Sequence, residues 1–227
     1  MTKWQKTDTL LISEVFYSLQ GESTWAGLPC FFIRLAGCNL RCSYCDASFT
    51  WQEAGQEMPV ESVLAQVMAA DYPLVEVTGG EPLLQEGVYS LFGALKAQAK
   101  TTLLETNGSI ALDRVPPEVN IIMDVKCPSS GTSAQFHAHN LAILQKRQGM
   151  GSTDEVKFVL SSPADFHWAR NFIAQQAMPK GLPILFSPVQ PAFPAEQLAA
   201  LMLTHRVQVR LQLQLHKILW PNLDRGV

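Results

Sequence analysis

A chain of 227 residues, 47% hydrophobic and 16% charged, carries enough apolar material for one α/β core, so one domain over residues 1–227 is expected. A formal net charge of −3 argues against a wide phosphate-binding surface: small anions fit this balance, and nucleic acid as a bulk partner does not. No apolar stretch approaches the roughly 20 residues that span a bilayer, and the first five residues lack a signal peptide's apolar core. The expectation is a cytoplasmic protein with no membrane partner.

Residues 10–23 open with an apolar run suited to a strand or edge segment, which Gly21 should end. Alone, the Gln20-Gly21-Glu22 turn reads as surface decoration. Residues 30–37 form a continuous apolar run, typical of a strand buried on both faces and interrupted by Arg34. A buried guanidinium needs a partner, and its planar fork matches a carboxylate. That carboxylate belongs either to a bound anion or to the core, Glu22 being one candidate.

Cys38, Cys42 and Cys45 follow within eight residues. A short loop is the least costly way to bring three thiolates to one point. Structural zinc normally takes four ligands in two pairs, and neither Cys30, Cys127 nor the five histidines supply a second Cys-x2-Cys pair. An odd cysteine count without a secretory signal argues against a disulfide framework. Cys30 and Cys127 read as ordinary buried small residues. On three cysteines a [4Fe–4S] cluster keeps one iron open to a small molecule.

Beyond the loop, residues 58–70 carry apolar side chains at helical spacing, and 74–78 form a short strand running into Gly79-Gly80-Glu81-Pro82. Paired glycines let a backbone approach a ligand closely, and Pro82 suits a first helical turn. Helices are expected at 88–99, 138–147 and 164–176. Strands are expected at 101–106, 119–125, 155–160 and 183–189, the last followed by Gln190-Pro191. Residues 207–217 alternate apolar and polar as a half-exposed strand should, ending at His216, which at a strand end is most simply a solvated side chain. Strands alternating with helices imply parallel pairing through right-handed crossovers. The expected fold is α/β: a partial (β/α) barrel of roughly six parallel strands plus an edge strand. Helices are reduced, notably between Thr106 and Val119, and the site lies at the strands' C-terminal ends.

The Cys-x3-Cys-x2-Cys run with Tyr44 before its last cysteine resembles the signature of the radical S-adenosylmethionine (SAM) enzymes. Gly79-Gly80-Glu81-Pro82 resembles that superfamily's Gly-Gly-Glu-Pro motif. Nearly the whole chain resembles one family within it, the 7-carboxy-7-deazaguanine synthases. Leu19-Gln20-Gly21-Glu22, Phe32 to Cys38, Cys45-Asp46 with Phe49-Thr50-Trp51, Thr78 to Pro82, Glu105-Thr106-Asn107-Gly108, Asp124-Val125-Lys126 and the ending Gln214 to Trp220 carry the likeness.

The resemblance implies ring contraction of 6-carboxy-5,6,7,8-tetrahydropterin to 7-carboxy-7-deazaguanine with loss of ammonia, in queuosine biosynthesis. The cofactor does the hard chemistry. A reduced cluster cleaves SAM, the resulting radical takes hydrogen from C6 of the pterin, and the hydrogen is later returned. Cys38, Cys42 and Cys45 would hold the [4Fe–4S] cluster. Tyr44, Cys45, Asp46, Gly79, Gly80, Glu81, Asp124, Val125, Lys126 and Gln190 would line the SAM site. Leu19, Gln20, Gly21, Glu22, Arg34, Thr78 and His216 would face the pterin, Arg34 meeting the substrate carboxylate and Lys126 that of SAM.

The family commonly places Thr or Ser, a Mg²⁺ ligand, directly after Cys-Asp, where this chain has Ala47. Either Ser48 or a water then supplies the oxygen, or Ser48 is a plain loop residue and the site has no metal. A flavodoxin-like or other one-electron donor and a homodimer are implied as well. Two other classes stay open. A radical SAM activase would not need Gln20, Glu22 and Arg34, and a non-enzymatic iron–sulfur or zinc module would not need the SAM-lining strand ends.

Overall fold

Val75, Val77, Leu104, Ile121, Val156 and Phe158 are fully buried, alternate residues of strands packed under helices. Each such apolar side chain contributes about 1.5–3 kcal/mol relative to exposure. The computed structural model of the protein describes residues 4–227. Strand β1 (Thr9–Leu19) pairs antiparallel with β2 (Pro29–Leu35) and, on its other side, with β3 (Gln56–Pro59). A short helix α1 (Phe49–Gln52) closes the cysteine loop. Then follow α2 (Val60–Ala70), β4 (Leu74–Gly79), α3 (Gly87–Ala97), β5 (Thr101–Thr106), β6 (Val119–Asp124), α4 (Asn140–Gln148) and β7 (Glu155–Leu160). The chain continues through α5 (Pro163–Gln175), β8 (Ile184–Pro188), α6 (Ala195–His205), β9 (Arg210–Leu211) and α7 (Leu215–Leu219).

Among the described residues, nine strands form one sheet in the order β3-β1-β2-β4-β5-β6-β7-β8-β9. Every adjacent pair from β2 to β9 is parallel. The sheet ends at β3 and β9 without joining them, so the barrel is partial, six parallel strands with β9 as a two-residue edge. The β5–β6 connection carries no helix among the described residues, the reduction expected there.

Besides the short α1 and β3, which it does not include, two further parts of the chain depart from the sequence reading. Residues 207–217 are not one strand: only Arg210 and Leu211 pair with β8, and His216 lies on helix α7. After Gln212 N donates to Phe186 O at 2.9 Å, the Gln212 and Gln214 side chains turn inward to Glu22, and Leu215 N donates to Gly21 O at 2.9 Å. These long-range bonds take the segment off the sheet edge despite its alternation. Helix α6, which the sequence reading does not include, starts directly after Pro194 and buries Leu198. Gln85, nearly fully buried, bonds Leu11 N and O and donates to Ala36 O at 2.9 Å, fixing the end of β2 where the cysteine loop begins.

Candidate active site

Side chains on successive residues of a strand point to opposite faces, and strand register carries that parity across the sheet. Arg34 aligns with Thr78, Glu105 with Ile122, and Asp124 with Lys157, so these residues share the inner face. Of these, Arg34, Thr78, Glu105, Asp124 and Lys157 line a cavity of about 570 Å³. Cys38, Cys42 and Cys45 line it, as do Leu19, Gln20, Gly21, Glu22, Arg34, Thr78 and His216. Tyr44, Asp46, Gly79, Gly80, Asp124, Lys126 and Gln190 line it too. Glu81, Val125, Ala47 and Ser48 do not.

The three cysteines leave β2 through Gly37, whose φ of +92° suits glycine. Cys38 Sγ accepts from Leu40 N at 3.4 Å and Asn107 Nδ2 at 3.7 Å, and Cys42 Sγ lies 3.4 Å from Thr132 Oγ1. Burial pushes the Cys38 and Cys45 thiols up, so binding a metal there must displace protons. Three half-buried sulfurs on one cavity wall, with an amide and a side-chain N–H aimed at Cys38, fit a thiolate-held cluster with one open iron.

Beside the loop, Lys126 Nζ donates to Asp124 Oδ2 at 2.7 Å. Burial alone would lower Lys126, but Asp124 and the nearby Cys42 hold it well above its usual range. Asp124 Oδ1 is buried without a protein hydrogen-bond partner, an acceptor left for a ligand in the cavity that Asp124 lines. Tyr44 Oη donates to Val159 O at 3.0 Å, which fixes its ring at the cavity wall.

Glu81 faces away, fully buried, and accepts from Leu83 N at 3.0 Å, Asn107 N at 2.8 Å and the Thr106 hydroxyl. Burial pushes it up to about 7. Its place in the motif is to tie the end of β4 to the end of β5. Asp46 lies at the mouth 3.1 Å from Lys217 Nζ; burial would raise it, yet Lys217 holds it down to about 2.

The far end of the cavity is floored by the turn after β1. Gln20 N donates to Leu28 O and Gly27 N to Gln20 O, both at 2.8 Å. Gln20 Nε2 donates to Glu76, and its Oε1 accepts from Glu22 N at 2.8 Å. Glu22 accepts from Gln214 at 2.7 Å, Gln212 at 3.1 Å and Lys157 at 2.5 Å. The His216 ring occupies the space a Cβ on Gly21 would need. Burial lowers the His216 pKa, outweighing the nearby Glu22 and Asp46.

Arg34 Nε donates to Glu14 Oε1 at 2.7 Å, and its guanidinium lies 5.5 Å from the Phe16 ring and 6.0 Å from Phe49. The core carboxylate that pairs with Arg34 is thus Glu14 rather than Glu22, and Arg34 still faces the cavity.

Sequence reasoning gave no role to Glu76, Glu105, Lys157 or Gln214, all cavity-lining, although Glu105 and Gln214 stand in segments that carry the resemblance. A signal existed for Lys157: like Arg34, it is a cation inside a buried strand, apolar apart from it and the opening Glu155.

The radical SAM superfamily model matches residues 32–124. The chain is 44% identical to the 7-carboxy-7-deazaguanine synthase of Chlorobaculum tepidum, covering 96% of this chain and 97% of that one. It is 39% identical to the enzyme of the same name from Koribacter versatilis, over 95% and 99%. The crystal structure of QueE from Escherichia coli has a TM-score of 0.72 at 22% identity, covering 91% of this chain and 94% of that one, a likeness of fold.

Proposed function

The chain belongs to the 7-carboxy-7-deazaguanine synthases of the radical SAM superfamily, and on that premise we propose that its cavity contracts 6-carboxy-5,6,7,8-tetrahydropterin to 7-carboxy-7-deazaguanine with loss of ammonia, in queuosine biosynthesis. The observation that carries this reading is one cavity of about 570 Å³ that both the three cysteines and the Leu19–Glu22 floor line, within the size range of small-molecule sites. We assign 1–227 as one radical SAM domain. When bound, a [4Fe–4S] cluster on Cys38, Cys42 and Cys45 and its SAM supply the radical that takes hydrogen from the substrate.

The chain's own residues bind and orient. Asp124 Oδ1 offers an acceptor and Lys126 a cation on the cofactor side, with Tyr44, Asp46, Gly79, Gly80 and Gln190 around them. Gln20, Gly21, Glu22, Thr78 and His216 frame the pterin. Anaerobic reconstitution followed by turnover of the carboxytetrahydropterin tests the reading. Product formation with SAM recovered intact supports it; SAM cleavage without conversion of the pterin overturns it.

Arg34 is assigned to the substrate carboxylate. Glu14 and the two aromatic rings hold its guanidinium, while Nε is the only nitrogen with a protein hydrogen-bond partner among the described residues. Arg34→Ala should weaken pterin binding by about 1.5–3 kcal/mol and leave SAM affinity and the cluster intact. Unchanged pterin affinity in a folded variant returns Arg34 to bracing β1 against β2.

Mg²⁺ fits less well. Ala47 has no side-chain oxygen, Ser48 does not line the cavity, and the nearby Thr50 hydroxyl donates to Ala47 O at 2.7 Å. We propose a weaker Mg²⁺ dependence than hydroxyl-bearing enzymes show, the ion keeping water in the vacant position. Turnover after chelation, with and without added Mg²⁺, should show a shallow response that Ala47→Thr steepens. Full activity without metal, unaltered by Ala47→Thr, removes the ion from this enzyme. Loss of a clear response in Ser48→Ala makes Ser48 the ligand.

A flavodoxin-type one-electron donor, a homodimer and a cytoplasmic location complete the proposal. No described helix is long and apolar enough to cross a membrane.

A further inference from the structure

Lys157 has no place in the functional reading so far, yet it is the most heavily engaged cation of the cavity. It rises from the inner face of β7, 3% exposed, in register with Asp124. Its Nζ donates to Glu22 Oε2 at 2.5 Å and to Glu105 Oε1. Thr78 Oγ1 donates to Glu105 Oε2 at 2.9 Å. A carboxylate has about four acceptor positions. Those of Glu105 are only partly used, and Glu105 faces the cavity.

Burial would lower Lys157, but Glu105, Glu22 and Asp124 hold it well above its usual range. Burial would raise Glu105, and Lys157 with Thr78 brings it below the usual carboxylate range. Glu76, on the same floor, goes the other way: burial and then the Glu105 carboxylate push it well up, favouring its protonated form. Glu105, in contact with the Lys157 ammonium, and Glu76, without that contact, are thereby driven in opposite directions.

We propose that Lys157 is a positioning residue that holds the Glu22 and Glu105 carboxylates fixed as hydrogen-bond acceptors for the N–H edge of the bound pterin. A 2-amino-4-oxopyrimidine ring presents adjacent N–H donors, which pair with a carboxylate and not with a protonated acid turned toward them. The inference rests on the pterin reading above and deepens it. The other charged or titratable groups around Lys157 are Glu76, Asp124, Lys126, Glu155, Asp46 and His216.

The test compares reconstituted wild type, K157M and the charge-balanced K157M/E105Q for pterin KM and kcat, SAM affinity, cluster absorbance and the pH dependence of kcat/KM. K157M should raise pterin KM by about tenfold or more with SAM affinity within about twofold of wild type. Without the ammonium, Glu105 keeps the burial that raises it and loses the contact that lowers it, so kcat/KM of K157M should climb as pH rises from about 6 to 9 while wild type lacks that ionisation. K157M/E105Q keeps the raised KM, because an amide replaces an acceptor, and loses the pH dependence. It also serves where K157M does not fold.

A native pterin KM in K157M or in the double variant overturns the inference. So does a pH-independent loss in K157M that falls equally on SAM affinity, since that describes structural damage. A wild type that binds and cleaves SAM but leaves the pterin unconverted overturns the functional reading, and this inference with it.

Discussion

Cys38→Ala, Cys42→Ala and Cys45→Ala should each leave the reconstituted protein without the visible absorbance of an iron–sulfur cluster and without SAM cleavage. Cys30→Ala and Cys127→Ala should retain both. The difference follows from where the sulfurs lie. The first three share one loop and one cavity wall. Cys30 is fully buried below the cavity with Phe32, Leu74, Leu103 and Ile122, and Cys127 is fully buried in the helix-covered core. Burial pushes both of these thiols well up, consistent with small apolar roles. A cluster already short of a fourth protein thiolate cannot lose a third and stay anchored, so turnover should drop by at least about 100-fold, close to 2.7 kcal/mol. Iron content, absorbance and SAM cleavage measured on all five variants decide it. Absorbance missing from Cys127→Ala and present in Cys42→Ala would reassign the ligands.

Much of this architecture could be read from the chain because its strongest signals are local. The strands at Thr101–Thr106 and Glu155–Leu160 are short runs built on Leu103-Leu104 and on Val156, Phe158, Val159 and Leu160, closed by Asn107-Gly108 and by Ser161-Ser162-Pro163, and they lie where the sequence reading puts them. The cysteine loop and the Gly79-Gly80 pair are also contiguous, and both open onto one cavity. What escaped was built from distant pairs. Glu22 meets Lys157 across 135 residues and Gln214 across 192, and no window on the sequence joins them. The same contacts explain the misread strand at 207–217: its alternation was genuine, but Gln212 and Gln214 point inward to the partly buried Glu22 carboxylate instead of outward to water. Arg34 was correctly seen to need a carboxylate, and pairing of β1 with β2 supplied Glu14.

The second large effect should come from a single methyl group at Gly80. A Cβ there would run into the Gly37 carbonyl and come 2.9 Å from Cys38 Cβ, so β4 lies directly against the start of the cysteine loop. The contact is held from both sides: Gly80 N donates to Leu35 O at 3.1 Å and Glu81 N to Gly37 O at 2.8 Å. Because the obstructing atoms are backbone, no side chain can swing aside, and the loop carrying Cys38 must move instead. Gly80→Ala should therefore lower stability by about 1–3 kcal/mol and sharply reduce both cluster loading and SAM affinity. Gly93→Ala is the matched control. Gly93 lies inside helix α3 with nothing within 4 Å of an added Cβ, so alanine there should stabilise the protein by roughly 0.5–1 kcal/mol without touching the site. Thermal unfolding, iron content and SAM binding distinguish the two. If Gly80→Ala loads a full cluster and binds SAM as tightly as wild type, the close approach of β4 to the loop does not set the geometry of the cofactor site.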